Sequence, residues 1–365
     1  MGGRPLGARR RRGVGISGLV LALVVAGCGS SNRTGAAGST LAGAATSATT
    51  TVAVVTMPPI ASTVAPAPAS SSSTSSGPSS VPTTTAPSTT SAAAPVGAAP
   101  CPSWKLLAKP RISTPEITEA SGLAGGRVNP GVWWTHNDSG DTPRVFALDS
   151  DARLLTTVAV QGAEAWDWED IDMGPGPDGR PYLYVSDLGD NFQLRQGTIG
   201  YQLYRFPEPA LGQSPPAAMT VTGERINVSY PDGSHNTEAT LVDPQTGDEI
   251  IVTKESPAGV YRIPASDLVP GRTVVPTKIG QIALDHPTGA DISPDGSMIA
   301  VKTLLDTSFW PRPKGRSVAD VLVRDRPCPV QSLGPGEAIA FDATGRQVAT
   351  VSEGRQQPLY RYRRS

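Results

Sequence analysis

Glu119, Glu169, Glu238 and Glu337 each stand at the head of a short apolar phrase that turns at glycine and comes back to a second polar cluster. The phrases run from Glu119-Ala-Ser-Gly-Leu to Thr135-His136-Asn137-Asp138 and from Glu169-Asp-Ile-Asp-Met to Val185-Ser186-Asp187. They recur from Glu238-Ala-Thr-Leu-Val to Val252-Thr253-Lys254-Glu255, from Gly289-Ala-Asp291-Ile to Ala300-Val301-Lys302, and from Glu337-Ala-Ile-Ala-Phe to Val351-Ser352-Glu353. Carboxylates gathered in one place raise each other's pKa, so protons, lysines or a cation must sit among them. Ca²⁺ suits such a set, because it takes six to eight oxygens in irregular geometry. Asp187, Asp190 and Asn191, closely spaced around Gly189, offer oxygens of the kind calcium loops use, and with Glu169 and Glu238 they form the expected metal set. Glu119, His136, Asn137, Asp138, Lys254, Lys302, Asp291, Glu337 and Glu353 form the expected ligand-binding set. A plainer role is open for the glutamates: each could accept backbone N–H groups of a neighbouring repeat and lock the assembly.

The elements that must position these residues follow from the repeat itself. Each phrase is a strand, a Gly-containing turn and a β-branched return strand, and the copies start 48 to 69 residues apart. That is the period of a four-stranded propeller blade. Third strands with an aromatic fit Val145-Phe146, Leu203-Tyr204, Val260-Tyr261 and Leu359-Tyr360, with Val321-Leu322 as the fourth copy. Fourth strands fit Thr156–Val160, Glu224–Tyr230, Lys278–Ala283 and Pro329–Leu333. The fifth copy runs out of chain after three strands, and Trp104–Ile112 can supply the missing one, closing the ring and hiding its edges. Residues 101–365 are therefore expected to be all-β, a five-bladed β-propeller, with six blades as the alternative if the long second repeat hides one more. In an up-and-down blade the first strand starts, and the second ends, on one face, so all the polar groups above meet at one mouth of the central channel.

Other segments carry weaker signals. Asp306–Arg316, with Phe309, Trp310 and Arg312 among prolines, reads as a lid over the mouth, a partner contact or a packed crossing loop. Trp133, Trp134, Trp166 and Trp168 read as a stacking surface for a flat ligand or as packing between blades. His235 and His286 add acid–base groups at the rim. No Gly-x-Ser-x-Gly elbow and no His spacing for zinc is present, which argues against a serine hydrolase or zinc enzyme.

Arg9–Arg12 precede an apolar run from Val14 to Ala26, too short for a permanent bilayer span and well sized for a signal-peptide core over residues 1–27. Val25-Ala26-Gly27-Cys28 resembles a bacterial lipobox, which makes Cys28 the expected lipidated N-terminus and the membrane an expected partner. Residues 28–100 are nearly all Ala, Ser, Thr, Pro, Gly and Val; they have little to bury and are expected to be a disordered tether on the extracytoplasmic side. Of three cysteines, Cys101 and Cys328 remain for a disulfide outside the cytoplasm. A net charge of −1 with interspersed signs gives no footprint for nucleic acid, and a monomer that binds a cell-wall component or a small molecule is expected.

Glu119-Ala-Ser-Gly-Leu, His136-Asn137-Asp138-Ser139-Gly140, Asp167-Trp168-Glu169-Asp170-Ile171, Gly189-Asp190-Asn191 and Tyr204-Arg-Phe-Pro-Glu208 resemble a group of bacterial secreted propellers akin to the esterase-like and calcium-dependent phytase propellers. The resemblance is closest over Glu119–Pro209 and implies an acidic, Ca²⁺-binding mouth, with phosphoester hydrolysis by metal-activated water as the implied alternative function. Such catalysis calls for several cations around the metals, and only Lys254, Lys302, Arg195 and the Arg312–Arg316 segment are candidates.

Overall fold

A computed structural model of the chain describes residues 100–365; the expected signal peptide, Cys28 and almost all of the expected tether lie outside the described residues. The strand β1 (Trp104–Ala108) belongs to the last blade. Blade one comprises β2 (Ala120–Gly125), β3 (Trp133–Asn137), β4 (Arg144–Leu148) and β5 (Leu154–Gln161). Blade two comprises β6 (Asp170–Pro175), β7 (Pro181–Asp187) and β8 (Tyr201–Pro207), after which β9 (Ala218–Thr222) intervenes before its fourth strand, β10 (Glu224–Val228). Blade three is β11 (Thr237–Val242), β12 (Glu249–Thr253), β13 (Ala258–Ile263) and, beyond a short strand β14 (Thr273–Val274), β15 (Thr277–Ile282). Blade four holds β16 (Gly289–Ile292), β17 (Met298–Lys302), β18 (Thr307–Pro311) and a helix, α1 (Val318–Arg324). Blade five is β19 (Ala338–Phe341), β20 (Gln347–Val351) and β21 (Tyr360–Arg364), completed by β1. The protein is a five-bladed β-propeller.

The inner strands β2, β6, β11, β16 and β19 lie side by side in that order, and β19 returns to β2. Alternation within the strands sends side chains to both faces of each blade, so apolar residues fill five blade-to-blade cores. Trp134, Trp168, Tyr204 and Phe206 fill the core between blades one and two, for example, and Trp133 and Phe146 that between blades one and five. Three of the four tryptophans in question are therefore packing residues, while Trp166 is half exposed. Hairpin turns between first and second strands need a left-handed residue, supplied by Gly179 (φ 77°) and Gly296 (φ 71°) in blades two and four.

The ring closes as the sequence implies: β1 pairs antiparallel with β21, Trp104 opposite Arg364 and Leu106 opposite Tyr362. The Cys101–Cys328 disulfide ties this strand to the segment after α1. The long second repeat hides no sixth blade, because its extra residues form the 188–200 loop and β9, which adds parallel to β5 on the outside of blade one. Blade four departs from the sequence reading. Its third strand is β18, inside the segment read as a lid, with Phe309 and Trp310 buried. Val321-Leu322 belongs to α1, whose first turn is capped by Ser317 Oγ accepting from Asp320 N at 3.2 Å. Val318, Ala319, Val321 and Leu322 recur at helical spacing and join the core of blades three and four. Pro329–Leu333 makes only an isolated bridge, Gln331 to Thr307. Among the described residues no helix is long and apolar enough to cross a membrane.

Candidate functional site

The mouth assembles where each inner strand starts and its partner ends. Register fixes this: Ala120 pairs with Asn137, Asp170 with Ser186, Thr237 with Thr253, Gly289 with Lys302 and Ala338 with Val351. Asp138, Asp167 and Glu169 come closest together, each offering a carboxylate oxygen within 4.8 Å of the others. Asp138 ends the blade-one hairpin, whereas Asp167 and Glu169 sit on the approach to β6. The Asp167 loop is held from below by Asp187, which accepts from Trp166 N (3.2 Å) and Asp167 N (3.0 Å). Gly189 passes over the same spot with no room for a side chain: a Cβ there would lie 2.2 Å from Glu169 Oε1 and 2.5 Å from Asp167 Oδ2. Two carboxylates thus press on a glycine backbone, a cradle that any other residue would fill.

Burial dominates the electrostatics. It pushes the Asp138 carboxyl up to about 7, with the charges of Asp167, Glu353 and Glu238 adding to the rise. Burial and the charges of Glu238, Asp138 and Asp167 hold Glu169 well above the usual carboxylate range. Glu337 rises to about 7, from burial and then Glu353. Asp167, Glu238 and Glu353 are raised as well, again chiefly by burial. Lys254 reaches into this set and bonds Glu238. Burial disfavours its charge, but the bond to Glu238 and the fields of Glu337 and Glu169 outweigh that and keep its ammonium above the usual value. Lys302 is fully buried, donates to Gly334 O at 3.0 Å, and is lowered to about 8 by burial against the pull of Glu337.

Other expected site residues are engaged elsewhere. Asp187 forms an ion pair with Arg195 at 2.8 Å, both buried. Asp190 accepts from Leu194 N, Arg195 N and the Tyr201 hydroxyl, each at 2.8 Å. Arg195 also donates to Gly189 O at 2.7 Å, so the 187–195 loop is organised around a guanidinium. Asn191 is exposed and accepts from Asn236 Nδ2 at 3.1 Å. Asn137 is buried and works as a hinge pin, accepting from Thr118 N and Glu119 N and donating to Asp141 Oδ2. His136 is fully buried edge-on to Trp168, and burial lowers it to about 4, which keeps it neutral. Glu119 and Glu353 are exposed at the rim, Glu119 beside a hollow of about 250 Å³ that Asn137 also lines.

The blade-locking role falls just inside the head positions, on Asp170 one residue after Glu169 and on Asp291 two residues after Gly289. Asp170 accepts from Thr240 N (3.0 Å) of blade three and Ala290 N (3.2 Å) of blade four. Asp291 accepts from Phe341 N of blade five at 2.6 Å. Among the described residues, none of Glu119, Glu169, Glu238 and Glu337 accepts a backbone N–H through its side chain; Glu169 has only the Ser121 hydroxyl at 3.5 Å. Sequence reasoning missed Asp167 and Asp170 as functional. The signal was present in the acidic string around Trp166 and Trp168, but a one-residue difference in a strand reverses the side-chain direction, and only the fold fixes which acid faces the mouth.

No protein-family model matches the sequence, and no curated protein matches it. Among solved structures the chain is similar to the hydrazine synthase of Kuenenia stuttgartiensis, at 11% identity and a TM-score of 0.37, over 64% of this chain and 80% of that one.

Proposed function

We propose that this propeller is a ligand-binding module of the cell envelope whose acidic channel mouth holds Ca²⁺ on Asp138, Asp167 and Glu169. The single observation that carries the reading is the convergence of these three carboxylates, two of which, Asp167 and Glu169, close over Gly189. Burial raises all three carboxyls; Asp138 accepts a backbone N–H from Ser139, while among the described residues Asp167 and Glu169 accept none through their side chains, so a divalent oxygen-seeking ion is the partner that offsets the most repulsion. Glu238, Glu337 and Glu353, with Lys254, would then form the polar ring that meets the ligand, and Lys302 would support it from beneath. The lipobox-like Val25-Ala26-Gly27-Cys28 and the polar segment after it support a position on the outer side of the membrane in this reading.

The binding reading is preferred to phosphoester hydrolysis because the arginines that would hold a phosphate are committed. Arg195 is bonded to Asp187, and Arg312 is bonded to Asp243 at 2.8 Å. The test is thermal unfolding with calcium titrated against a chelator. At about a hundredfold excess of ion over Kd, the expected stabilisation is about 2.7 kcal/mol. Asp167→Asn should abolish this response, whereas a wild-type midpoint that ignores calcium would refute the site.

A further inference from the structure

Five of the eleven large apolar side chains exposed among the described residues lie on loops at the mouth ends of blades two and four. Trp166 (50% exposed), Phe192 (84%) and Leu194 (69%) stand on loops of blade two. Leu304 (50%) and Leu305 (68%) stand on the turn between β17 and β18 in blade four. Both groups adjoin mouth glutamates. Asp190 N donates to Asn236 Oδ1, and Asn236 Nδ2 in turn donates to Glu238, which ties the Phe192 loop to that glutamate. Leu304 O accepts from Gly336 N, next to Glu337. Apolar groups exposed singly need no explanation, but apolar knobs on two non-adjacent blades beside one charged mouth make a pattern of the kind interfaces use.

We infer that the mouth face is a docking surface for a protein segment that presents a lysine or arginine among apolar side chains. The cation enters the acidic mouth and the apolar flanks cover Trp166, Phe192 and Leu194 on one side and Leu304 and Leu305 on the other. Charge decides the occupant. Even with a divalent ion on Asp138, Asp167 and Glu169, the carboxylates Glu119, Glu238, Glu337 and Glu353 outnumber Lys254 and Lys302. An anionic bilayer is repelled by that surplus, and a cationic partner is drawn to it. This inference rests on the mouth being a ligand site, though not on the identity of the ion.

The test uses the full chain and a short fluorescent peptide that alternates lysine and leucine, followed by anisotropy. The expected result is saturable binding that weakens at least about tenfold when NaCl rises from about 0.05 to about 0.5 M, and again in Phe192→Ser/Leu194→Ser. Those side chains are exposed, so the variant should unfold at the wild-type midpoint, and that midpoint is measured alongside. Equal binding of a glutamate–leucine peptide, no loss in the Phe192→Ser/Leu194→Ser variant, or stronger capture by phosphatidylglycerol vesicles overturns the inference. Calcium-dependent unfolding of the same samples separates the two readings: peptide binding without a calcium response removes the ion alone, and a calcium response without peptide binding removes the docking surface alone.

Discussion

Glu208 shows how much one side chain carries in this ring. Its carboxylate accepts from Arg127 N, Val128 N and Asn129 N, from Asn129 Nδ2 and from Trp134 Nε1. Glu208→Ala leaves several of these donors without a partner and should cost on the order of 3 kcal/mol in denaturant unfolding. Elsewhere the buried acids work against the fold. Glu249 and Asp172 are raised well above the normal range by burial, and neither Glu249 oxygen has a hydrogen-bond partner. A carboxyl whose folded pKa is raised keeps a proton that the unfolded chain has lost, so stability falls as pH climbs from the unfolded to the folded value. For Glu337 that window runs from 4.5 to about 7. Asp232 has the opposite sign: bonds to Lys278, His235 and Tyr261 outweigh its burial and lower it to about 2, so its contribution is lost as pH falls below 3.8. In chelator, the unfolding midpoint should therefore peak at about pH 4 and decline towards pH 8. Glu249→Gln should flatten the decline and add on the order of 1 kcal/mol at neutral pH; a midpoint that rises steadily to pH 8 would contradict this assignment.

At the scale of elements, the closure is the part that must hold. The β1–β21 pairing joins the two ends of the described propeller, and the Cys101–Cys328 bridge spans a sequence separation of 227 residues. Chain entropy for so long a loop gives about 5 kcal/mol as an upper figure. Cys101→Ser/Cys328→Ser should thus lower the melting temperature markedly and make blade five the first to exchange its amide hydrogens; an unchanged exchange pattern in β1 and β21 would show that strand pairing alone closes the ring. These elements were legible because their signals are local and repeated: β-branched return strands, turn glycines, and a final copy short by one strand. Blade four was less legible. Thr307-Ser-Phe-Trp-Pro looks like a loop because prolines surround it, yet it is the strand that buries Phe309 and Trp310. Val318–Arg324 is β-branched in part, but the Ser317 cap and the core of blades three and four select a helix, a tertiary choice that overrides propensity. At the mouth, the glutamate ladder was visible, whereas the division of labour between Asp170, which locks blades, and Asp167 and Glu169, which face each other, depends on side-chain directions that spacing alone does not fix.

For the molecule as a whole, five blades leave a channel lined by acids along its depth, from Glu169 and Glu238 at the mouth through Asp170 to Asp172 and Asp291 within. The inner acids are answered by backbone N–H groups, by Thr240 Oγ1 on Asp172 at 2.6 Å, and by the field of Arg127 on Asp291. The mouth carboxylates are answered by Lys254 and Lys302 only in part, and exposed apolar groups on loops of blades two and four flank them. On the function proposed above, such a propeller would use one end of its ring as a binding face. The most direct test of the central claim is a crystal structure of the protein grown with calcium. The expected result is an ion about 2.3–2.6 Å from carboxylate oxygens of Asp138, Asp167 and Glu169. A mouth in which those three groups are bonded only to one another, to Lys254 and to water, at saturating calcium, would contradict it.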